Sequence, residues 1–114
     1  RRYAMDLEYV SDDYAVTGQI TSEDLADLKA LGFKAVFCHR PDHEGEDQPE
    51  FAQIAKAAEA LGMTARYLPV HMPHGATDDD HTAYRAALGA TEGPVLGYCK
   101  GGGRAKALWK AAQG

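Results

Sequence analysis

Apolar residues recur along the chain in two rhythms, short runs of strand-forming residues and longer stretches with helical spacing. The alternating run at positions 14–19 predicts a first strand, lying at a sheet edge. Thr21 and Asp24 have the spacing of a capping box, and Leu25, Leu28 and Leu31 then mark one apolar helix face, which Gly32 ends. Residues 34–39 form a second strand whose apolar middle predicts burial on both faces. Pro49 suits the first turn of a helix carrying Phe51, Ile54, Ala55, Ala58 and Leu61 as far as Gly62. A third strand covers 64–70, its pairing limited by Pro69. Thr77 caps a helix with Asp78, Asp79 and Asp80 in its first turn and Tyr84, Ala87 and Leu88 along its apolar stripe. Gly93-Pro94 leads into a last strand, Val95-Leu96-Gly97-Tyr98, and a helix of good helix formers follows from Arg104. Strands alternating with helices imply βα units. The predicted fold is a single α/β domain, a mainly parallel sheet flanked by helices on both faces.

Composition narrows the class. With 114 residues the chain has room for one core, and 45% hydrophobic with 25% charged residues fits an ordinary globular domain. A formal net charge of −5 argues against nucleic acid or an anionic membrane as the main partner, so any anion must be attracted locally. No apolar run approaches the roughly 20 residues of a membrane span and no secretory signal pattern is present, so a cytoplasmic location is expected. Two cysteines do not make a disulfide framework, and both are expected as reduced thiols. Arg1 to Ala4 precede the first methionine and are set aside as an expression remnant, which leaves a domain over 5–114.

The chemistry concentrates after the last strand, at Cys99-Lys100-Gly101-Gly102-Gly103-Arg104. Glycines let successive backbone N–H groups turn inward, and the following helix adds its unpaired first-turn donors and the positive end of its dipole. Such a loop binds anions, and donors around a cysteine at its mouth favour thiolate over thiol. Cys99 is therefore the candidate nucleophile. Arg104 supplies a planar donor fork suited to an oxyanion, and Lys100, Gly101, Gly102 and Gly103 form the loop itself. Open sheets of this kind bind ligands outside the carboxyl ends of their strands, here Cys38-His39-Arg40, Val70-His71 and Cys99.

At these residues the sequence resembles a known family. The segments Val16-Thr17-Gly18-Gln19-Ile20-Thr21, Gly32-Phe33-Lys34-Ala35-Val36, Arg40-Pro41-Asp42 with Gln48-Pro49, and Pro94-Val95-Leu96-Gly97-Tyr98-Cys99 ending in Arg104-Ala105 and Leu108-Trp109 closely resemble the beta-lactamase-hydrolase-like, phosphatase-like domain family. The resemblance covers nearly the whole chain. It implies a fold similar to the dual-specificity protein tyrosine phosphatases, and many members are labelled sulfur transferases. It further implies that Cys99 is the nucleophile, that residues 100–104 form the anion loop, and that Arg40 and Asp42 shape its rim. The loop departs from the family pattern, which usually reads like Cys-Arg-Ser-Gly-Thr-Arg, because both hydroxyls are missing here. Their absence weakens the case for hydrolysis, and the four-residue spacing looks like that of rhodaneses.

The leading expectation is thus a cysteine-dependent sulfurtransferase working through a Cys99 persulfide. A phosphatase acting through a phosphocysteine intermediate is the alternative, and a weakly catalytic anion-binding or docking module is a third. The expected partner is a small sulfur-containing or phosphate-containing substrate, with a protein thiol as one candidate acceptor. His71 and His74 are candidate rim residues and His71 a candidate proton donor, while Asp78, Asp79 and Asp80 are read as helix-capping charges. Cys38 is either a resolving thiol or a small core residue. The spacing of His39, His43, His71, His74 and His81 matches no zinc signature, and neither a metal nor a cofactor is expected.

Overall fold

The computed structural model describes residues 6–114, so the four residues set aside at the start lie outside the described residues. The elements follow in the order β1 (Glu8–Ser11), β2 (Tyr14–Thr17), α1 (Asp24–Ala30), β3 (Ala35–Cys38), α2 (Phe51–Ala60), β4 (Thr64–Tyr67), α3 (Asp78–Ala90), β5 (Val95–Tyr98) and α4 (Gly103–Gln113). They build one five-stranded sheet of order β1-β2-β5-β3-β4. β2, β5, β3 and β4 run parallel, and only β1 is antiparallel.

Side-chain alternation along the three central strands divides the core in two. Ala15, Val36, Cys38, Leu96 and Tyr98 face α1 and α2 and pack with Leu25, Leu28, Ile54 and Ala58. Tyr14, Val16, Ala35, Phe37 and Val95 face α3 and α4 and pack with Tyr84, Ala105 and Leu108. Every residue of β2, β3 and β5 is buried, as expected of parallel strands covered on both faces.

Several local expectations need correcting. β2 is not the edge strand. Residues 8–11 pair with it as β1, a strand exposed along most of its length and so lacking the apolar alternation that would announce it. The Asp24 carboxylate accepts from the Thr21 N–H at 2.9 Å and from its hydroxyl at 3.3 Å, but α1 begins at Asp24, and Leu31 is its exposed C-cap instead of part of its buried face. Pro49 precedes the N-cap Glu50 of α2. Thr77 does cap α3, in a reciprocal box with Asp80. Beyond β4, Leu68 and Val70 still donate to the carbonyls of Cys38 and His39 at 2.8 and 2.9 Å. Pro69 falls between these two donors, where no N–H is needed, and Val70 is thereby carried to the end of the sheet beside Cys99.

Gly97 is the one gap in the central strand. A Cβ there would overlap the Tyr14 hydroxyl and lie 3.2 Å from the Ala105 Cβ, so the missing side chain admits the Tyr14 ring beneath α4. Gly97→Ala should lower stability by about 1–3 kcal/mol, the usual cost of overpacking a core. Chemical denaturation measures this, and an unchanged midpoint would mean that Tyr14 moves aside at no cost.

Candidate active site

Cys99 is the first residue past β5. Its N–H donates to the Thr17 carbonyl at 3.4 Å, which ties the strand end to β2. The next carbonyl, of Lys100, accepts from the Gln19 N–H at 3.2 Å, and a Cβ on Gly18 would stand only 2.8 Å from that oxygen. The chain therefore turns tightly against the β2–α1 loop. Gly102 adopts φ 94°, and its N–H donates to the Cys99 Sγ at 3.1 Å. Of the loop's three glycines only Gly102 has this left-handed backbone, whereas a Cβ on Gly101 or Gly103 would meet nothing within 4 Å. α4 starts at Gly103, so the buried thiol lies beside the N-terminus of an 11-residue helix.

Arg104 is held by two acceptors. Its Nη1 donates to the Glu44 Oε2 at 2.8 Å and to the Val70 carbonyl at 2.9 Å, and its Nη2 donates to the Glu44 Oε1 at 2.9 Å. A guanidinium has five N–H bonds. The end of the fork is thus taken by Glu44, which leaves the Nε–H and the second Nη2 hydrogen on its side edge, and Cys99 lies within hydrogen-bonding reach of the same guanidinium. Glu44 is the main cause raising the Arg104 pKa, and the charge of Cys99 adds to it. The Glu44 carboxyl is in turn pulled down to about 2, first by its hydrogen bonds from Arg104 and then by Arg40, against the opposing effect of burial. Arg40 is itself buried. It donates from Nε to Glu44 at 3.0 Å and from Nη1 to the Gln19 side chain at 3.1 Å. Two arginines and one carboxylate therefore link the end of β3, the β2–α1 loop and the start of α4.

A cavity of about 560 Å³ opens over Cys99 and Arg104. Gly101 and Gly103 line it from the loop, and Val70, Met72, Ala76, Ala107 and Leu108 give it mostly apolar walls. His81, on the first turn of α3, completes the wall.

The structure brings only some of the expected rim residues here. Lys100 is exposed and does not line the cavity. Arg40 stands behind Glu44. Asp42 caps α2: its Oδ1 accepts from the Phe51 N–H at 2.8 Å, and its own N–H donates to the Tyr67 hydroxyl at 3.0 Å. His71 lines a separate cleft with Tyr67, Leu68 and Pro69, and exposed His74 turns its Nδ1 to the Gly75 carbonyl at 2.7 Å. Both histidines follow the strand end in sequence, but neither lines the cavity over the thiol.

Cys38 pairs in register with Tyr98 and shares its face of the sheet, toward α1 and α2, whereas Cys99 opens toward α4 on the other side. A disulfide needs Cβ atoms about 4 Å apart with converging directions, which opposite faces do not provide. Cys38 is instead a buried core thiol donating to the Arg40 carbonyl at 3.3 Å, and burial pushes its pKa up. His39, also buried, holds its Nδ1 2.9 Å from the Leu68 carbonyl, and burial pushes its pKa down to about 4. Among the described residues no three His, Cys, Asp or Glu side chains gather as metal ligands would.

Two site residues were missed from the sequence. Glu44 sits in an acidic polar loop with no apolar pattern around it, and its one local signal is the four-residue spacing from Arg40. His81 follows three aspartates that explain themselves as capping charges.

A cysteine and an arginine flank a glycine loop at the carboxyl end of the central strand of a parallel sheet, and the class is phosphatase-like in fold. The chain belongs to the beta-lactamase hydrolase-like protein, phosphatase-like domain family, whose model matches residues 6–114. It is 37% identical over 100 residues to the beta-lactamase hydrolase-like protein of Agrobacterium fabrum, a match covering 88% of this chain and 23% of that protein. The chain spans about a quarter of the length of the curated relatives it matches. Among solved structures it superposes on a candidate phosphatase from Neisseria meningitidis with a TM-score of 0.82 and 34% identity, over 93% of this chain and 77% of that one. The core catalytic domain of the PP-IP phosphatase SIW14 from S. cerevisiae shares the fold, with a TM-score of 0.68 and 16% identity over 90% of this chain and 60% of that one.

The two acid-side shifts predict how stability depends on pH. Both His39 and Glu44 have folded pKa values below their ordinary ones, so the unfolded chain binds more protons between the two values and stability falls as pH drops. Loss should begin as pH falls through about 6.5, from His39, and steepen below about 4.5, from Glu44. In Glu44→Gln the second phase should flatten. Denaturation midpoints across pH 7 to 3 report this, and an unchanged acid slope in Glu44→Gln would contradict the bridging role.

Proposed function

We propose that this domain is a cysteine-dependent phosphatase that hydrolyses phosphomonoesters through a phosphocysteine intermediate. The observation that carries the reading is the division of Arg104. Glu44 and Val70 hold one end of the guanidinium, and the remaining edge is available to a tetrahedral anion above the Cys99 sulfur. In the first step the Cys99 thiolate attacks phosphorus, an S–P bond forms and the P–O ester bond breaks. Loop N–H groups, the α4 N-terminus and Arg104 stabilise the equatorial oxygens as charge spreads over them. Water then attacks phosphorus, the S–P bond breaks, and inorganic phosphate and free Cys99 result. Membership of a phosphatase-like family, and the fold shared with phosphatases, support this order over the sulfur-transfer expectation.

Sulfur transfer remains the second reading, favoured by a specific observation: residues 99–104 contain no hydroxyl, and the cavity above them is largely apolar. In that reading Cys99 takes the outer sulfur of a donor as a persulfide and passes it to a thiol or cyanide.

The test assays one preparation for aryl phosphate hydrolysis and for thiosulfate:cyanide sulfur transfer. Saturable hydrolysis is expected. Hydrolysis at background with robust sulfur transfer would replace the first reading by the second. Cys99→Ser should abolish turnover while leaving the fold intact, because a serine alkoxide does not form near neutral pH, and retained turnover would remove Cys99 from the mechanism. Arg104→Lys should lower kcat/KM by about 10²-fold or more, since charge is kept but the planar fork is lost. Wild-type kinetics in that variant would reduce Arg104 to a helix-start residue. Gly101→Ser restores a family hydroxyl where a Cβ meets nothing. It should raise hydrolysis more than sulfur transfer.

A further inference from the structure

We infer that His81 is the proton donor of this site, protonating the leaving oxygen as the ester bond breaks and then taking a proton from the attacking water. This rests on the phosphatase reading above. Among the described residues, the ionisable side chains lining the cavity are Cys99, Arg104 and His81. Cys99 is the nucleophile in that reading. Arg104 is committed as a cation by Glu44. An imidazole is the side chain of the three suited to exchanging protons near neutral pH.

The competing acids are placed elsewhere. Asp80 is bound back to Thr77 in the cap of α3, and neither Asp78 nor Asp79 lines the cavity. Glu44 is held ionised by two arginines. His71 faces another cleft and His74 is exposed. His81, by contrast, is half-buried, and its backbone N–H is bonded to the Thr77 carbonyl at 3.0 Å, so the capped first turn fixes where the ring starts. The charged residues one turn from it on α3 are Asp78 at i−3 and Arg85 at i+4. Cys99 and Arg104 border the same cavity, and His74 lies in the preceding loop.

The step balances. As the S–P bond forms, the P–O electron pair goes to the departing oxygen, which takes the proton of the His81 imidazolium. The neutral imidazole then accepts a proton from water as that oxygen bonds to phosphorus and the thiolate leaves.

His81→Gln discriminates this from a structural role when kcat/KM is measured on two esters. Activated p-nitrophenyl phosphate needs little protonation of its leaving group, whereas an alkyl phosphate depends on it. His81→Gln should lose about 10²-fold on the alkyl ester and only a few-fold on the aryl ester. An equal loss on both, or no loss on either, overturns the role of His81 while leaving the phosphatase reading intact. Failure of the unaltered protein to hydrolyse either ester overturns the phosphatase reading, and the role of His81 falls with it.

Discussion

One carboxylate joins the parts of this site. Glu44 accepts three charge-assisted hydrogen bonds, two from Arg104 and one from Arg40, and no other residue links the start of α4 to the end of β3 by side-chain bonds among the described residues. Such bonds are roughly twice as strong as neutral ones, and a bidentate pair fixes orientation as well as distance. Without Glu44, two guanidinium groups would stand near one another with no anion between them. With it, Arg104 has a defined free edge, and Arg40 braces Gln19, whose backbone in turn holds the carbonyl of Lys100. Charge pairing and loop shape are therefore one arrangement.

The sheet supplies the frame for that arrangement. β5 lies between β2 and β3, so its carboxyl end is fixed from both sides, by Thr17 below Cys99 and by the His39 N–H on the Tyr98 carbonyl at 2.8 Å. The extension of β4 pairing past Pro69 brings the Val70 carbonyl to Arg104. Gly97 admits the Tyr14 ring beneath α4, where Tyr14 stacks on Trp109 with ring centroids 6.1 Å apart.

Contiguous features of the site were legible in the sequence, and features assembled by folding were not. Cys99, the glycines and Arg104 are local, and their order between a strand and a helix announces their geometry. The helix faces and the buried strands were equally plain because burial imposes periodicity. Glu44 and His81 join the site from loop and helix positions 60 and 23 residues before Arg104, counted along the chain, and no local pattern marks them. Asp42 misled because it follows Arg40, yet its carboxylate is spent on the first turn of α2. Cys38 could not be assigned from the sequence, because the face it takes follows from a register with Tyr98 that pairing of distant strands sets.

The central claim is that Cys99 becomes covalently phosphorylated during turnover. Rapid acid quench of the protein mixed with an aryl phosphate, followed by intact-mass spectrometry, reads this directly. The account predicts a species heavier by one phosphoryl group that forms within a turnover, decays as substrate is exhausted, and is absent in Cys99→Ser. Hydrolysis without that adduct, with Cys99 unmodified at every time sampled while its replacement leaves the rate unchanged, would contradict the account.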